Sequence, residues 1–113
     1  MLISDIREAL PETKIMILEP FILEGSSTRS TEERPGKWEY LKREVNLRAQ
    51  AAQRVAEKNS IVFIPLQQKF DVLLNSAPAS NWLLDGVHPT AAGHELIARE
   101  WITAFHQISK TQP

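Results

Sequence analysis

Lys14-Ile-Met-Ile-Leu-Glu-Pro20 is a short, unbroken apolar run, and Ile61-Val-Phe-Ile-Pro-Leu66 repeats the pattern further along. Runs of this length, closed by proline, predict strands whose two faces are both covered, as in a parallel sheet. The segment between them turns helical from Trp38 to Lys58, with Leu41, Val45, Ala49, Ala52 and Val55 spaced as one apolar face. Upstream, Leu2, Ile3, Ile6 and Leu10 predict a helix that Pro11 stops. Downstream, a brief helical piece is expected over Phe70–Ser76. A last helix is expected over Thr90–Ile108, its buried stripe Ile97, Trp101, Ala104, Phe105 and Ile108. The order α-β-α-β-α predicts a layered α/β fold whose strands pair in parallel through a right-handed crossover. Two strands make a poor sheet, because each keeps an unpaired edge. The sequence reads as part of a sheet.

The chain has 113 residues, enough for one small domain and too few for two. Its net charge of −1 gives no basic field, so nucleic acid is not an expected partner. With no cysteine there is no disulfide, no thiolate nucleophile and no Cys-type zinc site. No apolar run approaches the length of a membrane span. Asp5, Arg7 and Glu8 stand where a signal peptide would need its apolar stretch, so a cytoplasmic location is expected.

Chemistry concentrates in Trp82-Leu-Leu-Asp-Gly-Val-His-Pro-Thr90. Asp85 and His88 stand three apart across a glycine, just ahead of a helix. A tight turn there folds the carboxylate back onto the imidazole Nδ1–H. That contact fixes the tautomer and stabilises the imidazolium that forms when Nε2 takes a proton. Gly86 suits a strained turn position, and Thr90 suits a helix N-cap. By spacing alone, Asp-x-x-His fits a solvated Asp beside a capping-region His better.

The wider string DGVHPTAAGHELIAREW, residues 85–101, closely resembles the C-terminal block of the SGNH hydrolases, the GDSL-type esterases and lipases. KIMILEPF is similar to the strand that follows the family's third block. RAQAAQRVAEKNSIVFIPLQQKFD is similar to its penultimate helix and last strand. The resemblance implies a flavodoxin-like three-layer fold, and it implies that His88 is the general base and Asp85 the orienting acid of a Ser-His-Asp triad. It implies ester hydrolysis on a small-molecule substrate through an acyl-enzyme, with no metal and no organic cofactor.

The family's Gly-Asp-Ser segment, and the blocks that supply an oxyanion-hole Gly and Asn, do not occur in these residues. None of the eight serines sits in a Gly-Asp-Ser or Gly-x-Ser-x-Gly context. Residues 1–113 therefore read as the C-terminal half of one SGNH-type domain, expected to be inactive alone. A non-enzymatic half-domain is the alternative, pairing its open sheet edge with a copy of itself or with a complementing N-terminal half.

Three smaller signals remain open at this level. Trp82 either walls a substrate pocket beside His88 or packs under the loop. Glu19, at a strand end, either borders the site or accepts backbone hydrogen bonds in the turn. His94 and nearby carboxylates lack metal-ligand spacing, which favours a surface or packing role.

Overall fold

The two apolar runs do pair in parallel, with Met16 opposite Val62, Ile17 opposite Phe63 and Leu18 opposite Ile64. The computed structural model describes residues 1–111, with side chains to Ile108. Its elements in order are α1 (Leu2–Ala9), β1 (Met16–Leu18), α2 (Lys37–Lys58), β2 (Val62–Ile64), α3 (Gln67–Leu73) and α4 (Ala91–Thr111), with one 3-10 turn at Ala79–Asn81.

Alternation along the strands divides the core in two. On one face, Ile64 joins Leu23, Leu66, Phe70 and Leu83, with Met16 and, from α4, Leu96, Ile97 and Ala104 packed against them. On the other, Ile15, Ile17, Ile61 and Phe63 meet Ile3 of α1 and Ala56 of α2. A helix–sheet–helix sandwich results, the expected three-layer arrangement with two strands in its middle layer among the described residues.

The short sheet corrects several expectations. The strands are three residues each, and Leu18 and Val62 stay 38% and 37% exposed, so the strand faces are not fully covered. Trp101 and Phe105, expected in the buried stripe of α4, are each 41% exposed and stack on one another at 5.3 Å. Ile108 is buried, and Ile97 and Ala104 are partly so. A two-stranded sheet is too narrow to cover the rest of the helix face. On α2 the deeply buried positions are Ala49 and Ala56, while Val55 lies on the exposed side.

The helix expected at Phe70–Ser76 begins earlier, at Gln67. Its start is fixed by a group distant in sequence: Glu19 Oε1 accepts the backbone N–H of Leu66 at 2.9 Å and of Gln67 at 2.7 Å. Glu19 thus takes the backbone-accepting role. Gln67 then ties the chain after β1 to α3, donating to the Ile22 carbonyl and accepting from the Ile22 N–H, both at 2.9 Å.

Candidate active site

Asp85 folds back on its own turn. Its Oδ1 accepts the backbone N–H groups of Val87, at 3.0 Å, and His88, at 2.9 Å. This is the local hydrogen bonding that makes Asp a turn former. Between them Gly86 adopts φ +105°, a conformation that costs a residue with a Cβ dearly. With Oδ1 occupied, Oδ2 is left for the imidazole, and His88 Nδ1 lies 2.7 Å from it.

Those bonds stabilise the ionised acid. The backbone N–H of His88 contributes most, then that of Val87 and then the imidazole, and together they hold the Asp85 carboxyl well below the usual carboxylate range. An ionised carboxylate only accepts, so Nδ1 must donate. Nε2 is then the free base nitrogen, with no hydrogen bond among the described residues. The His88 side chain is 77% exposed and that of Asp85 only 23%. The pair therefore has one sheltered member that orients and one open member that can reach a substrate.

Two further segments fasten the turn. On its C-terminal side the chain closes on itself, with Leu84 N–H on the His88 carbonyl at 2.8 Å and Thr90 N–H on the Trp82 carbonyl at 3.0 Å. Thr90 Oγ1 accepts the Gly93 N–H at 3.1 Å, the N-cap expected of it, and so anchors the turn to the start of α4. On its other side lies the loop after β1. Leu23 N–H donates to the Gly86 carbonyl and Ser27 N–H to the Asp85 carbonyl, each at 2.9 Å. Thr28, 2% exposed, accepts from Gly25 N–H and donates to the Leu23 carbonyl, which shapes that loop. The contact is backbone against backbone: a Cβ on Gly25 would stand 2.7 Å from the Asp85 carbonyl carbon, and one on Gly86 would stand 2.5 Å from the Leu23 oxygen.

Sequence reasoning misses this side of the site, because Ser26–Thr31 shows only the polar, hydroxyl-rich composition of a solvated loop. The available signal is Gly25 followed by hydroxyl residues on an overlong connection after a strand.

Trp82 is half-buried against the first core cluster and its indole N–H donates to the Ala77 carbonyl at 3.3 Å, so it packs under the turn. His94 is exposed in the first turn of α4, and no group of three metal-ligating side chains gathers among the described residues. A groove of about 730 Å³ runs beside the loop after β1, between α2 and α3, bordered by Glu19, Glu24, Trp38, Lys42 and Asp71. Neither Asp85 nor His88 lines it.

The acid–imidazole pair thus sits in the turn that leads into the last helix of an α/β sandwich. The model of the GDSL-like lipase/acylhydrolase family matches residues 1–96. The chain belongs to that family. An acetylxylan esterase from Geobacillus stearothermophilus is 26% identical in an alignment of 104 positions that covers 88% of this chain and 43% of that protein. A protein from Parabacteroides merdae described as a GDSL-like lipase superposes with a TM-score of 0.75 at 35% identity, over 91% of this chain and 44% of its own. The esterase domain of the ZfL2-1 ORF1 protein from a zebrafish retrotransposon shares the fold, with a TM-score of 0.59 at 20% identity, over 93% of this chain and 56% of that one. The chain of this GDSL-like family member thus spans about half the length of the relatives it matches. No helix among the described residues is long and apolar enough to cross a membrane.

Proposed function

We propose that this chain carries the acid–base half of a carboxylic-ester hydrolase. His88 Nε2 takes the proton of a serine hydroxyl as that oxygen attacks the ester carbonyl, and then gives it to the departing alkoxide. A water deprotonated at the same nitrogen releases the acyl group from the serine. Asp85 holds the imidazole in the required tautomer and balances the imidazolium charge. The observation that carries this reading is the split carboxylate, Oδ1 held by two backbone N–H groups and Oδ2 at 2.7 Å from His88 Nδ1. Trp82, packed beneath, supports the turn. Acyl groups on sugars, lipids or other small molecules all fit the chemistry, and the likeness to an acetylxylan esterase at 26% identity favours an acetyl ester.

The nucleophile and oxyanion-hole segments would come from a complementing N-terminal half. Loss of a triad nucleophile costs on the order of a millionfold in a serine protease. The 113-residue chain alone is expected to leave p-nitrophenyl acetate untouched beyond the rate of free imidazole. Adding an N-terminal half that carries the serine should bring hydrolysis that His88→Ala abolishes. Serine-dependent turnover by the chain alone, lost in His88→Ala, overturns the proposed division of labour; no turnover at any mixing ratio overturns the acid–base assignment.

A second reading rests on the sheet. Among the described residues β1 and β2 each have a single strand neighbour and expose Leu18 and Val62, so the chain could act as a non-catalytic half-domain that binds a partner or itself by strand addition.

A further inference from the structure

The carboxylate oxygen that faces His88 has a second neighbour. Ser27 Oγ lies 3.3 Å from Asp85 Oδ2, the same oxygen that takes the imidazole N–H at 2.7 Å. Ser27 does not reach it by chance of rotamer alone, because its own backbone N–H is bonded to the Asp85 carbonyl at 2.9 Å. The loop that carries it is pinned on either side, by Leu23 N–H on the Gly86 carbonyl and by the buried Thr28. The hydroxyl is therefore delivered to Asp85 by a preformed clasp some sixty residues away in sequence, 58 positions from Asp85.

We propose that Ser27 is a positioning residue for the Asp85–His88 pair, its hydroxyl donating to the carboxylate oxygen that orients the imidazole. This inference rests on the acid–base reading of that pair and adds to it a third side chain. A donor on Oδ2 draws charge away from the ion pair, so it weakens the carboxylate's hold on the imidazolium more than its hold on the neutral ring. Ser27 thereby tempers the pull of Asp85 on the ring and restrains Oδ2 from turning toward water. Of the charged groups near the clasp, Glu24 and Arg29 flank Ser27 on the loop and His94 lies on α4. None of them forms an ion pair with Asp85 or His88 among the described residues.

The test is an NMR titration of the His88 ring in the 113-residue chain, which needs no ester and no second half. Ser27→Ala is expected to raise the His88 midpoint by about 0.5 pH unit, a fraction of one hydrogen bond to a charged group. Ser27→Thr, which keeps the hydroxyl, should return it to the wild-type value, and Ser26→Ala, on the neighbouring hydroxyl, should leave it there. In an Asp85→Asn background, Ser27→Ala should have less than half its effect, since the charge through which it acts is gone. An unchanged or lowered midpoint in Ser27→Ala, failure of Thr to restore it, or an equal shift in both backgrounds overturns the Ser27 role. Asp85→Asn alone should lower the midpoint. If it does not, the acid–base reading fails first, and the two failures are told apart.

Discussion

At the scale of single residues, the site depends on a carboxylate with each oxygen assigned to a different task. Oδ1 shapes the turn and Oδ2 orients the imidazole, so the same side chain links local folding to the proposed chemistry. The pH dependence follows from the direction of its shift. A carboxyl held lower in the folded chain than in the unfolded one, where its value is about 3.9, stabilises the fold above that value and loses the contribution as pH falls through the folded one. The urea midpoint of wild type should therefore exceed that of Asp85→Asn from pH 8 to about pH 5, by a margin that widens as the carboxylate gains a charged ring to hold, and the margin should shrink below about pH 4. A margin that keeps growing below about pH 4 contradicts an ionised, hydrogen-bonded Asp85. Gly86 gives a sharper test of the clasp. At φ +105°, and with the Leu23 oxygen 2.5 Å from where its Cβ would be, Gly86→Ala must distort either the turn or the loop. A loss of about 2 kcal/mol in denaturant unfolding is expected, more than the left-handed backbone alone would cost. Gly36→Ala, also at positive φ but with open space around it, should lose only the backbone part, about 1 kcal/mol.

At the scale of elements, contacts between loops decide more than the helices and strands do. Glu19 ends β1 and starts α3 with one carboxylate oxygen shared by two N–H groups. Glu19→Ala should cost about 2 kcal/mol by thermal or urea unfolding, because two helix-end donors lose a charged acceptor together. Exposed Glu24→Ala should cost almost nothing, and equal losses at the two sites would argue against the cap. The same contact explains what could be read in advance and what could not. Strand identity, parallel pairing and the long helices follow from apolar spacing, and the Asp85–His88 contact follows from a glycine turn of fixed length. The beginning of α3 does not, because periodicity around Phe70 cannot show a carboxylate 48 residues upstream. Nor does the Ser27 clasp, since hydroxyl residues on a polar loop look alike until the backbone of Asp85 is brought against them. Local pattern was legible; pairings between distant loops were not. Trp101 and Phe105 failed for the opposite reason: their spacing is that of a buried face, and only the width of the sheet beneath decides whether the face is covered.

At the scale of the whole chain, dimensions and surface point the same way. The radius of gyration is 16.3 Å and the extents are 54 × 29 × 18 Å, against a radius of about 13 Å for a compact domain of this length. The excess reflects two long helices extending past a sheet of two strands. Leu18 beside an unpaired strand edge and the stacked Trp101–Phe105 pair on α4 are apolar surfaces of the kind a full sheet and its neighbouring helix would bury. Left open, they should drive association. Sedimentation of the purified chain is expected to show a concentration-dependent dimer or larger species. Leu18→Lys should shift the population toward monomer, because a charge at a strand edge opposes edge-to-edge pairing. Trp101→Lys separates the two surfaces: association unchanged by it but lost in Leu18→Lys places the contact at the strand edge, and the reverse places it on α4. The same variants bear on the catalytic proposal, since a complementing N-terminal half must occupy the edge that a second copy would use. Addition of that half should dissolve the self-association and restore hydrolysis in one step, with Leu18→Lys weakening both. A chain that stays monomeric at every concentration, and binds no complementing half, would mean that a two-stranded sheet can satisfy itself.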